Sequence, residues 1–308
     1  MDLIHKFINL VSVILSIIFF IFVLPVHSLF RILRFCIRSV FREKLTGKVV
    51  LITGASSGIG EHLAYEYAKH GANLALVARR EELLTAVAGK AKELGAPEAI
   101  VIKADVSKVQ DCKRFIDETI NHFGKLDCLI NNAGIAIIGL FEEQECISDH
   151  PSIMDINFWG SEVVIGSCGG WFHTPSVSVY NASKAAQESF FETLRIELGS
   201  NIGITMVTLG TVNTPIADDS FLIQSNLWWV PIYSVEGCAK KIINSIRRGD
   251  EYLTVPSWMQ SVFLWVMLLP HLMNSVRSFN LAIGQKFHFK TGNPTPTLTG
   301  ESGTSTKP

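Results

Sequence analysis

Two residues four positions apart, Tyr180 and Lys184 in the segment SVSVYNASKAAQESFF, have the types and spacing that most directly suggest chemistry. On a helix, residues at this spacing share a face. An ammonium beside a phenol lowers the pKa of the phenol, so we expect Tyr180 to donate or accept a proton near neutral pH. Ser167, thirteen residues earlier, ends an apolar strand-like run and can hold a carbonyl or hydroxyl oxygen in place. An isolated Y-x-x-x-K is common, so the pattern needs support from elsewhere.

A glycine-rich turn, TGASSGIG, supplies Gly54, Gly58 and Gly60 between a predicted strand and a predicted helix. Glycines there let the backbone approach a pyrophosphate, and the helix N-terminus points its free N–H groups at the anion. Arg79 follows the second predicted strand, where an acidic residue would bind the 2′-hydroxyl of NAD and an arginine suits the 2′-phosphate of NADP. A ligand-free turn, and surface charges at Arg79 and Arg80, are the alternatives.

The elements that must position these residues alternate between strand and helix. KVVLITG, NLALVAR, AIVIKADV and LDCLINNAG are apolar runs, separated by helical patterns such as EHLAYEYAKHGA. This alternation predicts an α/β fold, a Rossmann-type doubly wound parallel sheet with helices on both faces, preceded by an N-terminal membrane-anchor helix. We expect an anchor and basic amphipathic helix over residues 1–45, a nucleotide-binding domain over 46–290, and a disordered tail over 291–308.

The N-terminal segment contains 24 residues without a charge, from Phe7 to Phe30. As a helix it would be roughly 36 Å long, enough to cross a bilayer core. It is too long for a secretory signal and lacks a small-residue cleavage site. Only Lys6 precedes it among basic residues, whereas six follow within residues 31–48, which predicts a cytosolic body and a basic helix face in the headgroup layer. Pro25 leaves a membrane-spanning helix and a kinked hairpin both open.

Composition narrows the function classes. A formal net charge of −1 lacks the basic footprint of a nucleic-acid-binding protein. A mean hydropathy of +0.29 is high for a purely soluble protein. Six scattered cysteines without a C-x-x-C pair suggest free thiols in a reducing compartment, and nine histidines without H-x-x-x-H spacing make a metal site unexpected.

Four segments together resemble the short-chain dehydrogenase/reductase family: TGASSGIG, NNAG at 131–134, Ser167 and YNASK. Within that family the likeness is to the plant 11β-hydroxysteroid dehydrogenase-like proteins, the steroleosins, over about residues 1–290. The resemblance implies an NADP-dependent hydroxysteroid oxidoreductase that interconverts a secondary alcohol and a ketone. It also implies a lipid-droplet or ER membrane location with the catalytic domain in the cytosol, and an apolar sterol-like substrate. A homodimer is left open.

The resemblance also implies roles for individual residues. Tyr180 would transfer the proton, Ser167 would orient the substrate, Lys184 would bind the nicotinamide ribose, and Asn157 would complete a proton relay through water. Asp105 would contact the adenine. The other positions expected to bind NADP(H) are Gly54, Ser56, Ser57, Gly58, Ile59, Gly60, Arg79, Asn132, Ala133, Gly134, Gly210 and Thr214.

Two departures from the family pattern stand out. Leu209 occupies a position where a proline is usual, which removes rigidity from a cofactor loop. Only ten positions separate Asn157 from Ser167, about 17 fewer than the resemblance leads us to expect. A path down and back up a sheet needs roughly 17 Å each way, and ten extended residues reach only about 33–36 Å. We therefore expect the usual arrangement of Asn157 and Ser167 to be unattainable.

The substrate is barely readable from sequence. FLIQSNLWWVPIY at 221–233 lies where the family's substrate loop occurs, and its aromatics suit a flat apolar ligand or, equally, core packing. The segment 258–273 suggests a second surface-seeking helix. Three functions are therefore weighed. The spacing of Ser167, Tyr180 and Lys184 favours a membrane-bound enzyme, the short connection favours a non-catalytic lipid-droplet protein that binds NADP, and the first 45 residues oppose a soluble dehydrogenase.

Overall fold

Strands and helices alternate along the chain, as the apolar runs predict. The computed structural model describes residues 2–136, 151–154, 156–157, 164–199, 202–217, 219–225, 227 and 229–279, so the predicted tail at 291–308 lies outside the described residues. The strands are β1 (Val49–Thr53), β2 (Asn73–Ala78), β3 (Ala99–Lys103), β4 (Cys128–Ile130), β5 (Val164–Ser167), β6 (Met206–Leu209) and β7 (Tyr252–Val255). The helices are α1 (Asp2–Ile18), α2 (Leu24–Val40), α3 (Gly58–Lys69), α4 (Glu81–Glu93), α5 (Val109–Phe123), α6 (Pro151–Met154), α7 (Ser178–Leu198), α8 (Asp219–Gln224), α9 (Val235–Arg248), α10 (Met259–Leu268) and α11 (Pro270–Phe279).

All the strand ladders are parallel. One runs in the order β3-β2-β1-β4 and the other in the order β5-β6-β7. The Ile165 N–H donates to the Asn131 carbonyl at 3.1 Å, which places β5 beside the end of β4. Because parallel strands all end at the same edge of a sheet, the polar residues after β1, β2, β3, β4, β5 and β6 lie along one edge.

Helices cover both faces of the sheet. On β1, Val50 and Ile52 belong to a core that includes Tyr67 of α3, whereas Leu51 belongs to a second core that includes Phe115 of α5. Successive side chains of a strand point to opposite faces, so each face of β1 packs against its own helix layer. The predicted doubly wound α/β architecture is confirmed.

The N-terminal helix is continuous. It runs from Ile4 to Val40 through a π-helical turn at Phe19–Val23, and none of its described side chains is fully buried. At 37 residues it is about 55 Å long, and it is apolar enough to cross a membrane. Pro25 lies in the first turn of α2, where its missing N–H costs little, so the chain does not fold back as a hairpin there.

The basic residues at the end of α2 face the protein. Arg38 Nη1 donates to the Gly249 carbonyl at 2.6 Å, and Arg42 Nη1 donates to Asn244 Oδ1 at 3.3 Å. The guanidinium of Arg248, at the end of α9, lies 5.1 Å from the centre of the Phe35 ring. The C-terminal end of α9 thus supplies carbonyl and amide acceptors for Arg38 and Arg42, and the position of the basic face in the headgroup layer stays a prediction.

The last described helices, α10 and α11, form a pair bent by 113° at Leu269–Pro270. No residue between Glu251 and Arg277 carries a formal charge at pH 7 when histidine is neutral. The apolar side chains exposed on this pair are Phe263, Leu264, Trp265, Met267, Leu268, Leu269, Leu272, Val276 and Phe279. The sequence predicted a surface-seeking segment here, and the exposed apolar face is what such a segment requires.

Candidate active site

The turn between β1 and α3 forms a cradle of backbone. Gly54 and Gly58 both have a φ of +63°, in the left-handed region that favours glycine. A Cβ on Gly54 would lie 2.8 Å from Ala133 Cα, so no larger residue fits. The N-cap residue of α3, Ser57, makes no side-chain cap hydrogen bond, and the first N–H groups of α3 are therefore available to an anion.

Gly60 has a packing role. A Cβ there would lie 2.5 Å from both Gly54 O and Asn132 Nδ2, and Gly60 does not line the cavity at this edge of the sheet. The glycine is needed for α3 to approach β1 closely, and its place among the cofactor contacts stays a prediction. Ser56, Ser57, Gly58 and Ile59 do line the cavity.

The NNAG segment is tied to the end of β1. Asn132 Nδ2 donates to the carbonyls of Thr53 and Gly54 at 3.1 and 3.2 Å. The N–H groups of Asn132 and Ala133 donate to Thr53 Oγ1 at 3.1 and 3.2 Å. Asn132, Ala133 and Gly134 all line the cavity, as predicted. The amide of Asn132 thus holds the two strand ends together, and the backbone beside it forms the cavity wall.

Two arginines follow β2 at the cavity rim. Arg79 is exposed and lines the cavity. Arg80 Nη2 donates to Ser56 Oγ at 3.1 Å and to Ser57 Oγ at 2.8 Å, which the sequence did not indicate. One guanidinium therefore contacts the serines of the glycine-rich turn, and the other lies beside it at the rim.

Three further predicted positions line the cavity from other strand ends. Asp105, after β3, accepts hydrogen bonds at Oδ1 from the N–H and Oγ of Ser107, which fixes its carboxylate. Gly210 and Thr214, after β6, also line the cavity, with Thr214 close to Gly58. Leu209, in place of the usual proline, is buried at the end of β6 and is paired in register with Val255 of β7.

Ser167 and Tyr180 lie together at the cavity wall. Ser167 ends β5, and its Oγ accepts a hydrogen bond from the Gly169 N–H at 3.1 Å. Burial raises the pKa of Tyr180 to about 12; a hydrogen bond with Ser167 lowers it in part, and the Cys168 thiol raises it further. At neutral pH the phenol is therefore protonated and hydrogen-bonded to the serine beside it.

Lys184 lies one helical turn after Tyr180, with 7% of its surface exposed. Its Nζ donates to the Ile165 carbonyl and to Gln187 Oε1, both at 3.1 Å, and lies 6.0 Å from the centre of the Tyr180 ring. Burial lowers the pKa of Lys184 to about 8. The predicted shared face is confirmed. The predicted lowering of the Tyr180 pKa is wrong for the protein alone, because burial is the largest influence on the phenol and raises its pKa to about 12.

Asn157 is fully buried behind the cavity wall. Its Oδ1 accepts from the Ile135 N–H at 2.9 Å, and its Nδ2 donates to the Ile135 carbonyl at 2.9 Å and to Ser183 Oγ at 3.1 Å. A Cβ on Gly134 would lie 3.4 Å from Asn157 Oδ1 and 3.9 Å from Lys184 Nζ. Asn157 and Lys184 thus both lie close to Gly134 of the NNAG segment.

The prediction that the short connection takes Asn157 away from Ser167 and Tyr180 turns on residues 158–163, which lie outside the described residues, and it stays a prediction. Val164, where β5 begins, is roughly 10 Å below Ser167 along the strand. The seven positions from Asn157 to Val164 can extend about 23–25 Å. Asn157 itself contacts Ile135 and Ser183.

The cavity has a volume of about 500 Å³ and a largely apolar lining beyond the polar edge. Phe221, Leu227 and Trp229 line it from the predicted substrate segment, in which Asn226 and Trp228 lie outside the described residues. Phe172 and Trp258 add aromatic surface. Cavities of this kind take flat apolar ligands with a few fixed polar contacts.

Two residues beside Ser167, Tyr180 and Lys184 escaped the sequence analysis. A Cβ on Gly169 would lie 3.3 Å from the Tyr180 ring and 3.4 Å from Ser167 Oγ, so this glycine lets the two approach. Gln187 is 1% exposed and contacts Lys184. The signal for Gln187 was its i,i+3 spacing from Lys184, which places it on the same helix face.

Within the described part of the chain, no group of three or more histidine, cysteine or acidic side chains could hold a metal ion. The described cysteines are free thiols: Cys36, Cys112, Cys128, Cys168 and Cys238. Cys146 lies outside the described residues.

Comparison with known sequences gives two matches to the family model described as short chain dehydrogenase, over residues 48–162 and 151–222. The chain is 43% identical to 11-beta-hydroxysteroid dehydrogenase A of Sesamum indicum, covering 90% of this chain and 87% of that protein. It is 46% identical to 11-beta-hydroxysteroid dehydrogenase A of Arachis hypogaea, covering 89% and 86%. It is 44% identical to 11-beta-hydroxysteroid dehydrogenase-like 2 of Arabidopsis thaliana, covering 94% and 99%.

The alignments also bear on the short connection. The two family matches overlap in residues 151–162, a range that includes Asn157 and the first half of the segment between Asn157 and Ser167. The alignment with the 11-beta-hydroxysteroid dehydrogenase-like 2 protein spans 307 positions but uses 94% of the 308 residues, about 290, so about 17 positions of that relative have no counterpart here.

Solved structures with the same fold include a short chain dehydrogenase/reductase from Burkholderia phymatum in complex with NAD. Its TM-score is 0.66 at 23% identity, and the match covers 83% of this chain and 99% of that one. A dehydrogenase/reductase from Sinorhizobium meliloti 1021 gives a TM-score of 0.63 at 25% identity, covering 71% and 97%.

Proposed function

This chain belongs to the short-chain dehydrogenase family, and we propose that it is a membrane-anchored, NADP-dependent hydroxysteroid or sterol oxidoreductase. The family uses a nicotinamide nucleotide and acts on CH–OH groups, so the proposal concerns the choice of NADP, the substrate and the membrane. The observation that carries it is the meeting of Ser167, Tyr180 and Lys184 on the wall of one cavity that also has an aromatic lining.

The residues present fit a dinucleotide cofactor. The backbone of Gly54 and Gly58 and the start of α3 would hold its pyrophosphate, and Asp105 would lie at its adenine end. When bound, the cofactor supplies or accepts a hydride at the carbon that bears the substrate oxygen. Arg79 and Arg80 at the rim support NADP, since two guanidinium groups favour the extra phosphate on the 2′-oxygen.

The protein's own groups manage the proton. In the reducing direction Tyr180 Oη gives its proton to the carbonyl oxygen as that oxygen becomes a hydroxyl. Ser167 Oγ donates a hydrogen bond to the same oxygen and holds it beside the phenol. The Lys184 ammonium, buried nearby, stabilises the negative charge left on Tyr180 until the phenol is reprotonated. A phenol that is protonated at neutral pH suits this role as a proton donor.

The substrate is proposed to be sterol-like and to reach the protein from a membrane. Phe221, Trp229 and Trp258 give the cavity an aromatic lining, and the names of the plant relatives support a hydroxysteroid. The helix from Ile4 to Val40 would hold the chain in a lipid-droplet or ER membrane, with its catalytic domain on the cytosolic side. The exposed apolar face of α10 and α11 would add a second contact with lipid.

The test uses the purified full-length chain in detergent or liposomes, with NADPH and a panel of steroid and sterol ketones. We expect ketone-dependent loss of NADPH absorbance. Replacement of Tyr180 with Phe should lower turnover by about 10²-fold or more while leaving NADPH binding intact. A chain that binds NADPH but reduces no member of the panel would contradict the enzymatic proposal.

A second candidate function is a catalytically impaired NADP-binding protein of the lipid-droplet surface. The observation that favours it is the connection of only ten positions between Asn157 and Ser167, about 17 fewer than the family resemblance leads us to expect. The same panel separates the two functions, because this candidate predicts NADPH binding without turnover for every substrate.

A further inference from the structure

Gln187 is a buried polar residue one helical turn after Lys184 on α7. It is 1% exposed, and its Oε1 accepts a hydrogen bond from Lys184 Nζ at 3.1 Å. An ammonium only donates hydrogen bonds, so the oxygen of the amide is the atom that must face it. The Ile165 carbonyl accepts a second hydrogen bond at 3.1 Å from the opposite element, β5. The ammonium is thus held between a helix and a strand.

The surroundings of Lys184 are uncharged among the described residues. On α7 it faces the neutral phenol of Tyr180, whose ring centre is 6.0 Å away; on β5 it faces a carbonyl; and the NNAG segment contributes Gly134. The acidic neighbour on its own helix, Glu188, lies against Gly170, and burial and Glu192 raise the pKa of its carboxyl. Burial is the one cause that shifts the pKa of Lys184, to about 8. Among the residues that the structure describes, no carboxylate neutralises the ammonium.

We propose that Gln187 is a positioning residue, which holds the Lys184 ammonium by a neutral amide oxygen at a fixed distance from Tyr180 and from the ribose site. This rests on the proposed function of Lys184. A carboxylate at this position would form an ion pair and cancel the charge that acts on Tyr180. An apolar side chain would remove one of two acceptors from a buried charge. The amide keeps the charge both in place and uncompensated.

The test compares Gln187→Met, which keeps the length without an acceptor, with Gln187→Glu, which adds a charge. Ser189→Ala, an exposed position on the same helix, is the matched control. In the pH profile of kcat/KM, the alkaline limb should follow the pKa of Lys184. It should shift to lower pH by about 1 unit in Gln187→Met, which loses an acceptor, and to higher pH by about 1 unit in Gln187→Glu, which gains a negative charge. Both variants should lower kcat by about tenfold or more, and Ser189→Ala should match the wild type.

Two readouts need no substrate. The first is the pH at which NADPH affinity weakens, followed by nicotinamide fluorescence. It should fall in Gln187→Met and rise in Gln187→Glu, as the alkaline limb does. The second is the pH above which the cofactor-free protein becomes more resistant to urea. It should fall in Gln187→Met and rise in Gln187→Glu, because it reports the pKa of Lys184 in the folded chain. Failure to turn over any ketone would contradict the proposed function and leave these readouts intact. If the alkaline limb of kcat/KM and both substrate-free midpoints are unchanged in a folded Gln187→Met or Gln187→Glu variant, Gln187 has no positioning role.

Discussion

The side-chain amide of Asn157 forms a two-point hydrogen-bonded pair with the main chain of Ile135, with both N···O distances at 2.9 Å. Ile135 directly follows the NNAG segment, which lines the cavity. The pair therefore connects the end of β4 to the turn that contains Asn157, and it fixes the backbone against which Lys184 lies. A residue that the family likeness assigns to a proton relay is also a brace for the cavity wall.

Replacing Asn157 with Ala should affect both stability and turnover. The buried N–H and C=O of Ile135 would lose their partners, at a cost of about 1–3 kcal/mol, which is several degrees of melting temperature in a domain of this size. If Asn157 also serves the relay, turnover should fall by about 10²–10⁴-fold. Asn73→Ala, an asparagine at the start of β2 outside the cavity lining, is the control. Unchanged melting would contradict the bracing role.

Cofactor preference should depend on Arg79. In Arg79→Asp the carboxylate repels the 2′-phosphate and can accept the 2′-hydroxyl, so the Kd for NADPH should rise by about 100-fold and the Kd for NADH should fall. Arg80→Ala should weaken NADPH binding less than Arg79→Asp does, because the Arg80 guanidinium already donates hydrogen bonds to Ser56 and Ser57. Lys92→Asp makes the same change of charge at an exposed site on α4. Equal affinity of the wild type for both cofactors would show that Arg79 does not select NADP.

Lys184 should make stability depend on pH. Burial lowers its pKa from 10.5 to about 8. Below pH 8 the ammonium is charged in the folded and unfolded chains alike; between pH 8 and 10.5 only the unfolded chain binds the proton, so the free energy of unfolding rises with pH. Lys184→Met lacks this rise. The stability of the wild type relative to Lys184→Met should increase by about 3 kcal/mol across that range, measured by urea unfolding. A constant difference would contradict a buried charged lysine.

Much of this site could be predicted from local sequence patterns, whereas the long-range contacts could not. Tyr180 and Lys184 share a face because they lie one helical turn apart, and Gly54 and Gly58 fall in a turn whose geometry requires glycine. The contact of Arg38 with Gly249 joins residues 211 positions apart, which no periodicity reveals. The distance argument at Asn157 used a strand of five residues, whereas β5 has four, which shortens the path by only about 3 Å each way.

Membrane retention should depend on residues 1–45 and survive high salt. The apolar helix buries surface that salt does not screen, whereas attraction of Arg31 and Arg34 to anionic lipid is screened. A chain that starts at Thr46 should remain in the supernatant after sedimentation with liposomes, and Arg31→Gln/Arg34→Gln should still sediment. Full sedimentation of the shortened chain would assign retention to the exposed face of α10 and α11 instead.

Lengthening the short connection should change turnover little. If the distance argument from sequence were right, a variant with about 17 residues inserted after Gly160 would gain at least 10²-fold in kcat, since it would regain a missing relay group. In the structure Asn157 already pairs with Ile135 and Ser183, and Ser167 already hydrogen-bonds Tyr180. We therefore expect less than a tenfold change in kcat. NADPH affinity should be unaffected, because Gly54, Arg79 and Asp105 precede the insertion. A 10²-fold gain would instead mean that the natural chain binds cofactor without competent proton transfer, and would favour the non-catalytic function.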